Sequence, residues 1–176
     1  FALGDVSGFS NGCYGLVDDD TARVYLLPTT LRNAFDYALL DLAEKEPIPY
    51  ISSAKQIAIQ GADHTLTLAH HADGAALSYS ADYSWFTVED AMPADTTKVN
   101  ALLSTASGIT WAETVAYNAD DALLAACGLD DASALRFTVT HGAEDNTFTL
   151  LLGHDEENTR YARLAGSQMV YRIDRT

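Results

Sequence analysis

The chain has 176 residues, of which 48% are hydrophobic and 20% are charged, and its formal charge is −15. This composition is typical of a globular chain with a sizeable core and excludes a disordered one. Only 10 residues are Lys or Arg, so the sequence argues against binding to nucleic acid or to an anionic membrane surface. We interpret the acidic excess as solubility, with an acidic face for a cationic ligand or Ca²⁺ as the alternative.

No apolar run reaches the length of about 18 residues that a spanning helix needs, so we expect no direct membrane insertion by this segment. Phe1 is not preceded by the basic region of a signal peptide, and we expect the sequence to begin at a mature or internal boundary. Cys13 and Cys127 are the only cysteines. They form no Cys-x-x-Cys motif, so the sequence predicts neither a disulfide framework nor a zinc site.

The first elements in the chain are two strands, predicted over residues 13–17 and 23–27. The acidic residues Asp18 to Asp20 lie between them, where carboxylates can bond the backbone of a turn. A helix is predicted to begin near Leu31, after Pro28, and to end before residues 44–49. Its apolar stripe consists of Leu31, Phe35, Ala38, Leu39 and Leu42.

The hydrophobic period changes to two at Ala54, which predicts an antiparallel meander as far as Val88. A helix follows, capped by Asp95 and ended by Gly108. A strand over residues 111–117 and a short helix over residues 120–127, ended by Gly128, come next. Four further strands are predicted over residues 135–140, 148–152, 160–164 and 169–173.

The two ends of the chain share an ordered set of residues. Leu3-Gly4, Tyr14 and Val24-Tyr25 recur in the same order as Leu152-Gly153, Tyr161 and Val170-Tyr171. The two glycines are 149 positions apart and the two later tyrosines 146, and the drift falls in loops, where length changes are tolerated. The pattern predicts an internal repeat of about 147 residues whose first copy begins upstream of Phe1.

The stretch from Trp85 to Ile173 resembles the family known as domain of unknown function 4340. The resemblance rests on Trp85-Phe86, Pro93-Ala94-Asp95 with Lys98-Val99 and Leu102-Leu103, Gly128-Leu129-Asp130-Asp131, residues 135–140, residues 148–153, Tyr161 and Val170-Tyr171. The chain has Ala132-Ser133-Ala134 where the family commonly has a proline. The first 30 residues resemble the end of a preceding copy.

The resemblance implies a bacterial extracytoplasmic protein with one N-terminal membrane anchor and tandem copies of the domain. Family members are often encoded beside ABC transporters of the gliding-motility type. The family has no established catalytic residues, so none can be assigned to this chain by resemblance.

Residues with potential chemistry do not form a recognisable catalytic or metal-binding motif. The sequence has five histidines, without the spacing of a metal site, and no nucleotide-binding or nucleophile motif. We expect Cys127 to be an inert buried thiol and the acidic clusters to lie at turns and helix starts. A Ca²⁺ site assembled from two loops remains the alternative for those clusters.

The aromatic residues Tyr79, Tyr83, Trp85 and Phe86 are the candidate ligand-binding residues. If they are exposed, they form a platform for a carbohydrate or a peptide. If they are buried, they fill the core between sheet and helix. The two interpretations differ in the exposure of Trp85.

The sequence therefore predicts an α+β fold of curved antiparallel sheets with packed helices, as a shifted copy of a tandem repeat. Residues 1–46 are expected to be the C-terminal part of an upstream copy, and residues 47–176 most of a second copy. The expected function is a non-enzymatic extracytoplasmic module with no cofactor, either a scaffold or a partner-binding accessory of an ABC-type membrane complex. The alternative is a carbohydrate- or peptide-binding module.

Overall fold

The computed structural model describes residues 1–17, 20, 22–72 and 83–175. Its strands pair in antiparallel fashion throughout these residues. The chain divides into two compact units, Phe1–Ala43 and Glu44–Thr176. The sequence placed its boundary three residues later, after Glu46. The assignment of the first unit to an upstream repeat copy stays a prediction.

The first unit contains a three-stranded meander followed by two short helices. Its strands are β1 (Ala2–Val6), β2 (Gly12–Leu16) and β3 (Tyr25–Pro28), in the order β1-β2-β3. The Ser7 amide donates a hydrogen bond of 2.8 Å to the Gly12 carbonyl and closes the turn between the first two strands. The meander confirms both strands that the sequence predicts in this region, with shifts at their ends.

The single helix predicted from Leu31 to Leu42 is wrong. The structure instead has α1 (Thr29–Asn33) and α2 (Leu39–Leu42), separated by extended backbone at Ala38, where ψ is 156°. Four of the five side chains of the predicted stripe, among them Phe35 and Leu39, are exposed. A short helix derives most of its stability from packing its apolar face, so this stripe cannot hold a continuous helix without a covering partner.

Among its described residues, the second unit has an eight-stranded antiparallel sheet and two helices. Its strands are β4 (Ala54–Gln60), β5 (Thr65–His70), β6 (Trp85–Thr87), β7 (Glu113–Ala116), β8 (Leu135–His141), β9 (Asn146–Glu156), β10 (Thr159–Leu164) and β11 (Val170–Asp174). The helices are α3 (Thr96–Ser107) and α4 (Asp121–Ala126). The strand order is β6-β5-β4-β8-β9-β10-β11-β7.

The predicted helix caps of this unit are confirmed. Asp95 accepts hydrogen bonds from the amides of Thr97 and Lys98, and Asp120 accepts one from the amide of Leu123. Gly128 follows α4 with a φ of +68°, in the left-handed region that favours glycine. The strand predicted over residues 76–79 lies outside the described residues.

The central strand β9 is buried on both faces of the sheet. Leu150 belongs to a core cluster that includes Val99 of α3, whereas its neighbour Leu151 belongs to a second cluster with Leu124 of α4. Successive side chains of a strand point to opposite faces, so the two helices cover opposite faces of the sheet. The fold is thus a mixed, sheet-rich α+β fold, as the sequence predicts.

None of the helices in the described part of the chain has the length and apolar character needed to cross a membrane.

Candidate functional site

The aromatic residues predicted to bind a ligand are only partly accessible. Trp85 and Phe86 on β6 are 2% and 1% exposed, and Tyr83 is half-buried. Tyr79 lies outside the described residues. The rings of Trp85 and Phe86 have edge contacts with His70 and His71, at centroid distances of 5.2 and 5.7 Å. Their burial favours the core interpretation and does not provide the exposed Trp85 that a sugar or peptide platform needs.

A second aromatic pair fixes the start of the second unit. Trp111 and Tyr171 are stacked, with ring centroids 4.2 Å apart. The Trp111 Nε1 donates a hydrogen bond of 2.7 Å to the Glu46 carbonyl, and the Glu46 amide donates one of 2.9 Å to the Tyr171 hydroxyl. The Ser167 hydroxyl donates a further bond to the Glu46 carboxylate at 2.8 Å. We call this set of four residues the Glu46 anchor.

The Glu46 anchor explains why residues 44–46 belong to the second unit. It satisfies the backbone amide, the backbone carbonyl and one carboxylate oxygen of Glu46 at the same time. Burial raises the pKa of the Tyr171 hydroxyl above its usual value, although the bond from the Glu46 amide opposes that shift. The sequence did not indicate Glu46, because its partners are 65 to 125 positions away.

The two short motifs most specific to the family resemblance meet in space. The loop Gly128–Asp131 follows α4, and Gly153 lies in β9. The His154 amide donates a hydrogen bond of 2.9 Å to the Cys127 carbonyl. A Cβ placed on Gly153 would lie 2.1 Å from that same carbonyl oxygen, a distance that no side chain tolerates. Glycine at position 153 is therefore required by the close approach of the α4 loop.

Asp130 closes the loop after α4. Its carboxylate accepts hydrogen bonds from the Ala132 and Ser133 amides at 3.0 and 3.1 Å. The pKa of Asp130 is lowered, first by a side-chain hydrogen bond with Ser133 and then by the bond from the Ala132 amide. Asp20, Asp95 and Asp120 also accept bonds from nearby amides. The prediction that acidic residues serve the backbone at turns and helix starts is confirmed for these residues.

A charged network surrounds Arg172 on β11. Its guanidinium donates hydrogen bonds to Glu113, to Glu156 and to the Tyr161 hydroxyl, at 3.0, 2.6 and 3.1 Å. The Tyr161 hydroxyl in turn donates to Glu156. That bond is the largest cause of the raised pKa of Tyr161, and the bond to Tyr161 raises the pKa of Arg172. The Arg172 Nε is buried without a partner among the described residues.

The thiol of Cys127 lies beside this network and has a raised pKa. Burial raises its pKa, the charge of Glu156 raises it further, and Arg172 opposes the shift. Only the thiolate is a nucleophile, so a raised pKa removes the reactive form at neutral pH. This environment agrees with the prediction of an inert buried thiol.

A cleft of about 460 Å³ opens between the C-terminal half of α3 and the sheet. Its walls are mainly apolar, with Leu102, Phe137 and Leu152 among the lining residues. Arg160 and Arg175 also line it, and both form ion pairs with Asp155. Because its walls are mainly apolar and both guanidinium groups are already paired with Asp155, the cleft is suited to an apolar group.

The histidines and acidic residues do not come together as metal ligands in the part of the chain that the structure describes. His141 is buried at the end of β8, and its Nδ1 has no partner among the described residues. The second unit is a module in which two helices pack on opposite faces of an antiparallel sheet.

The comparisons with known proteins place this module in a family. The family model described as "Domain of unknown function (DUF4340)" matches residues 85–176, more than half of the chain. The chain belongs to this family, as the sequence motifs predicted. No curated protein matches the chain. No solved structure matches it.

Proposed function

We propose that the protein is a non-enzymatic extracytoplasmic module, repeated in tandem, that acts as a scaffold or partner-binding accessory of an ABC-type membrane complex. Membership in the DUF4340 family supports this proposal. The observation that carries the repeat is the strand pairing of two meanders, β1-β2-β3 in the first unit and β9-β10-β11 in the second. In this proposal a segment upstream of Phe1 anchors the protein to the membrane.

The two meanders have the same register. Subtracting 149, 147 and 146 from the residue numbers of β9, β10 and β11 gives the matching positions in β1, β2 and β3. Six residue pairs of the first meander correspond one by one to six pairs of the second. In the first meander they are Ala2–Leu16, Leu3–Gly15, Gly12–Pro28, Cys13–Leu27, Tyr14–Leu26 and Gly15–Tyr25. In the second meander, in the same order, they are Leu151–Arg163, Leu152–Ala162, Thr159–Asp174, Arg160–Ile173, Tyr161–Arg172 and Ala162–Tyr171. A one-residue slip would invert the faces of a strand, so shared register supports a shared ancestor of the two meanders.

Exposed apolar side chains support a role in binding other proteins. The first unit has exposed large apolar residues outside its strands, including Phe9, Tyr37 and Leu39, which are 99%, 56% and 81% exposed. Concentrated apolar exposure of this kind is typical of protein interaction surfaces. The acidic charge of −15 disfavours an anionic lipid surface as the alternative partner.

The test is affinity purification of the tagged full-length chain from detergent-solubilised membranes of its own host. We expect the subunits of an ABC-type transporter to copurify in a fixed ratio with the bait. The paired substitutions Phe9→Ser and Leu39→Ser are expected to reduce recovery. Leu66→Ser and Val88→Ser, at exposed positions of the second unit, form the matched control and are expected to leave it unchanged. Recovery of no transporter and no envelope component would contradict the proposal.

A further inference from the structure

The matching meanders share an irregularity as well as a register. Between the pairs Leu3–Gly15 and Val6–Cys13, β1 contains one more residue than β2. The corresponding pairs in the second unit are Leu152–Ala162 and Asp155–Arg160, and β9 contains the same extra residue relative to β10. A β-bulge re-aims the strand at one defined place and marks a built feature of a fold. In both meanders the bulge includes the matching glycine, Gly4 or Gly153.

The reason for glycine is visible in only one of the two meanders. A Cβ on Gly153 would meet the Cys127 carbonyl at 2.1 Å and the Leu129 side chain at 3.0 Å. A Cβ on Gly4 would meet only Tyr14 among the described residues, at ordinary contact distances of 3.5 and 3.7 Å. We use the term α4-type loop for a loop of another domain that is equivalent to Gly128–Asp131. If such a loop packed on the bulge of β1, Gly4 would have the same role as Gly153.

The burial of matching side chains differs in the same direction. Val170 and Tyr171 are fully buried, whereas the matching Val24 and Tyr25 are 65% and 40% exposed. Phe1 takes the position of Leu150, and these residues are 69% and 1% exposed. The first meander therefore presents to solvent apolar side chains whose counterparts form the core of the second unit.

The edges of the two meanders differ as well. In the second unit β8 pairs with the outer edge of β9, and β7 pairs with the outer edge of β11. Within the described residues, the outer edges of β1 and β3 have no strand beside them. Unpaired edges are templates for the addition of another strand.

We propose that the first meander is a docking surface for the β7–α4–β8 portion of a second DUF4340 domain, located upstream in the same polypeptide. Its β8-type strand pairs with β1, its β7-type strand pairs with β3, and its α4-type loop packs on Gly4. This inference rests on the tandem repeat of the proposed function and adds the partner segment and its register. The occupant belongs to this family because the bulge, the register and the apolar positions all match those that the family domain uses itself.

A chimeric chain tests this docking directly. Residues 44–149 are placed before Phe1, so that Phe1 follows Thr149 in place of Leu150 and the whole present chain is retained. We expect amide hydrogen exchange in β1 and β3 to be at least about tenfold slower than in the parent chain, because both strands gain a partner and a core. Peptides from residues 1–28 occur once in the chimera and report on these strands alone.

The control chimera contains residues 44–150 before Phe1, which adds one residue to the joined strand. The shift places the wrong face of β1 toward the docked segment, so we expect no slowing of exchange there. Equal exchange in the parent chain and the in-register chimera would overturn the proposal. Equal protection in both chimeras would also overturn it, because the pairing would then lack the register that the structure specifies.

Two further measurements apply even if the chimeras fail to fold. In the longest natural polypeptide that contains this sequence, β1 and β3 are expected to exchange as slowly as β9 and β11, and fast exchange there would overturn the proposal. Protection of β1 and β3 that grows with the concentration of the parent chain would assign the surface to a second copy instead and would also overturn it. None of these measurements involves a transporter, so they can fail or succeed independently of the copurification test.

Discussion

The two meanders of this protein have the same strand register and bulge but different surroundings. In the second unit, β9, β10 and β11 lie inside an eight-stranded sheet with helices on both faces. In the first unit, β1, β2 and β3 form a three-stranded sheet whose matching apolar side chains are exposed. Strand pairing is thus the same in both surroundings, whereas burial differs with the elements that pack around the strands.

The comparison also separates a residue's position in the strand register from the contacts that its side chain makes. Tyr25 and Tyr171 occupy the same register position, but only Tyr171 has a stacked Trp111 and a bond from the Glu46 amide. A residue at a matching register position therefore has these contacts only where its partners are present. Paired substitutions at matching positions test this difference within a single protein.

The largest difference is expected between Gly153→Ala and Gly4→Ala. The added methyl group at position 153 collides with the Cys127 carbonyl, and we expect a loss of about 3 kcal/mol in the free energy of unfolding, since the backbone must shift. At position 4 the change should stay within about 0.5 kcal/mol. Urea unfolding followed by tryptophan fluorescence reports on the second unit, which contains both tryptophans. Hydrogen exchange of peptides from residues 1–28 follows the first unit, and equal losses would contradict the comparison.

The next difference is expected between Val170→Ala and Val24→Ala. Val170 is fully buried, so removing two methyl groups should cost about 2 kcal/mol through lost transfer free energy and a cavity. Val24 is 65% exposed, and its truncation should cost less than about 0.5 kcal/mol. Thermal unfolding of both variants beside the parent chain measures the difference. A large effect at Val24 would show that its side chain already has a partner.

A smaller difference is expected between Tyr171→Phe and Tyr25→Phe. Loss of the Tyr171 hydroxyl leaves the Glu46 amide without its acceptor, which should destabilise the second unit by about 1 kcal/mol. Tyr25→Phe should leave stability unchanged within error. Hydrogen exchange at the Glu46 amide gives a direct readout, and we expect it to accelerate in Tyr171→Phe alone. Unchanged exchange in that variant would mean that the Glu46 anchor does not protect this amide.

The smallest difference concerns pH and Asp155, whose counterpart in the first meander is Val6. A side-chain hydrogen bond from Arg160 is the largest cause of the lowered pKa of Asp155. A carboxyl group whose pKa is lower in the folded state contributes stability above its unfolded pKa of about 3.9, which is lost as pH falls through the lower folded value. We expect Asp155→Asn to reduce the acid dependence of unfolding between about pH 4 and pH 2. Superimposable pH profiles of the variant and the parent would contradict the assignment.

Much of the fold could be predicted from the sequence because its signals are local. Asp95 and Asp120 cap their helices, Gly128 takes the left-handed conformation, and the strands from Leu135 onward lie within a few residues of their predicted bounds. The helix from Leu31 to Leu42 was wrong because an apolar stripe indicates a helix only when a surface covers it. The family resemblance from Trp85 onward was confirmed by the family model.

The candidate site was less predictable because its contacts are distant in sequence. The sequence left open whether a cluster of aromatic residues forms a surface platform or fills the core, and the structure buries Trp85 and Phe86. Arg172 contacts Glu113, 59 positions away, and Glu46 contacts Tyr171, 125 positions away. The recurring Val-Tyr pair, which is also part of the family resemblance, was the signal in the sequence that marked Tyr171 as important.

The sequence by itself determined most of the strands, the caps, the acidic turns, the family and the matching order of residues at the two ends. These features depend on hydrogen bonds and periodicities within a few residues, so they are readable from one chain. Only the tertiary structure decided that Gly153 must be glycine, that Glu46 ties two aromatic rings together, and that one meander is buried while its counterpart is exposed. Those outcomes depend on which distant surfaces exclude water from a residue, and no local pattern encodes that.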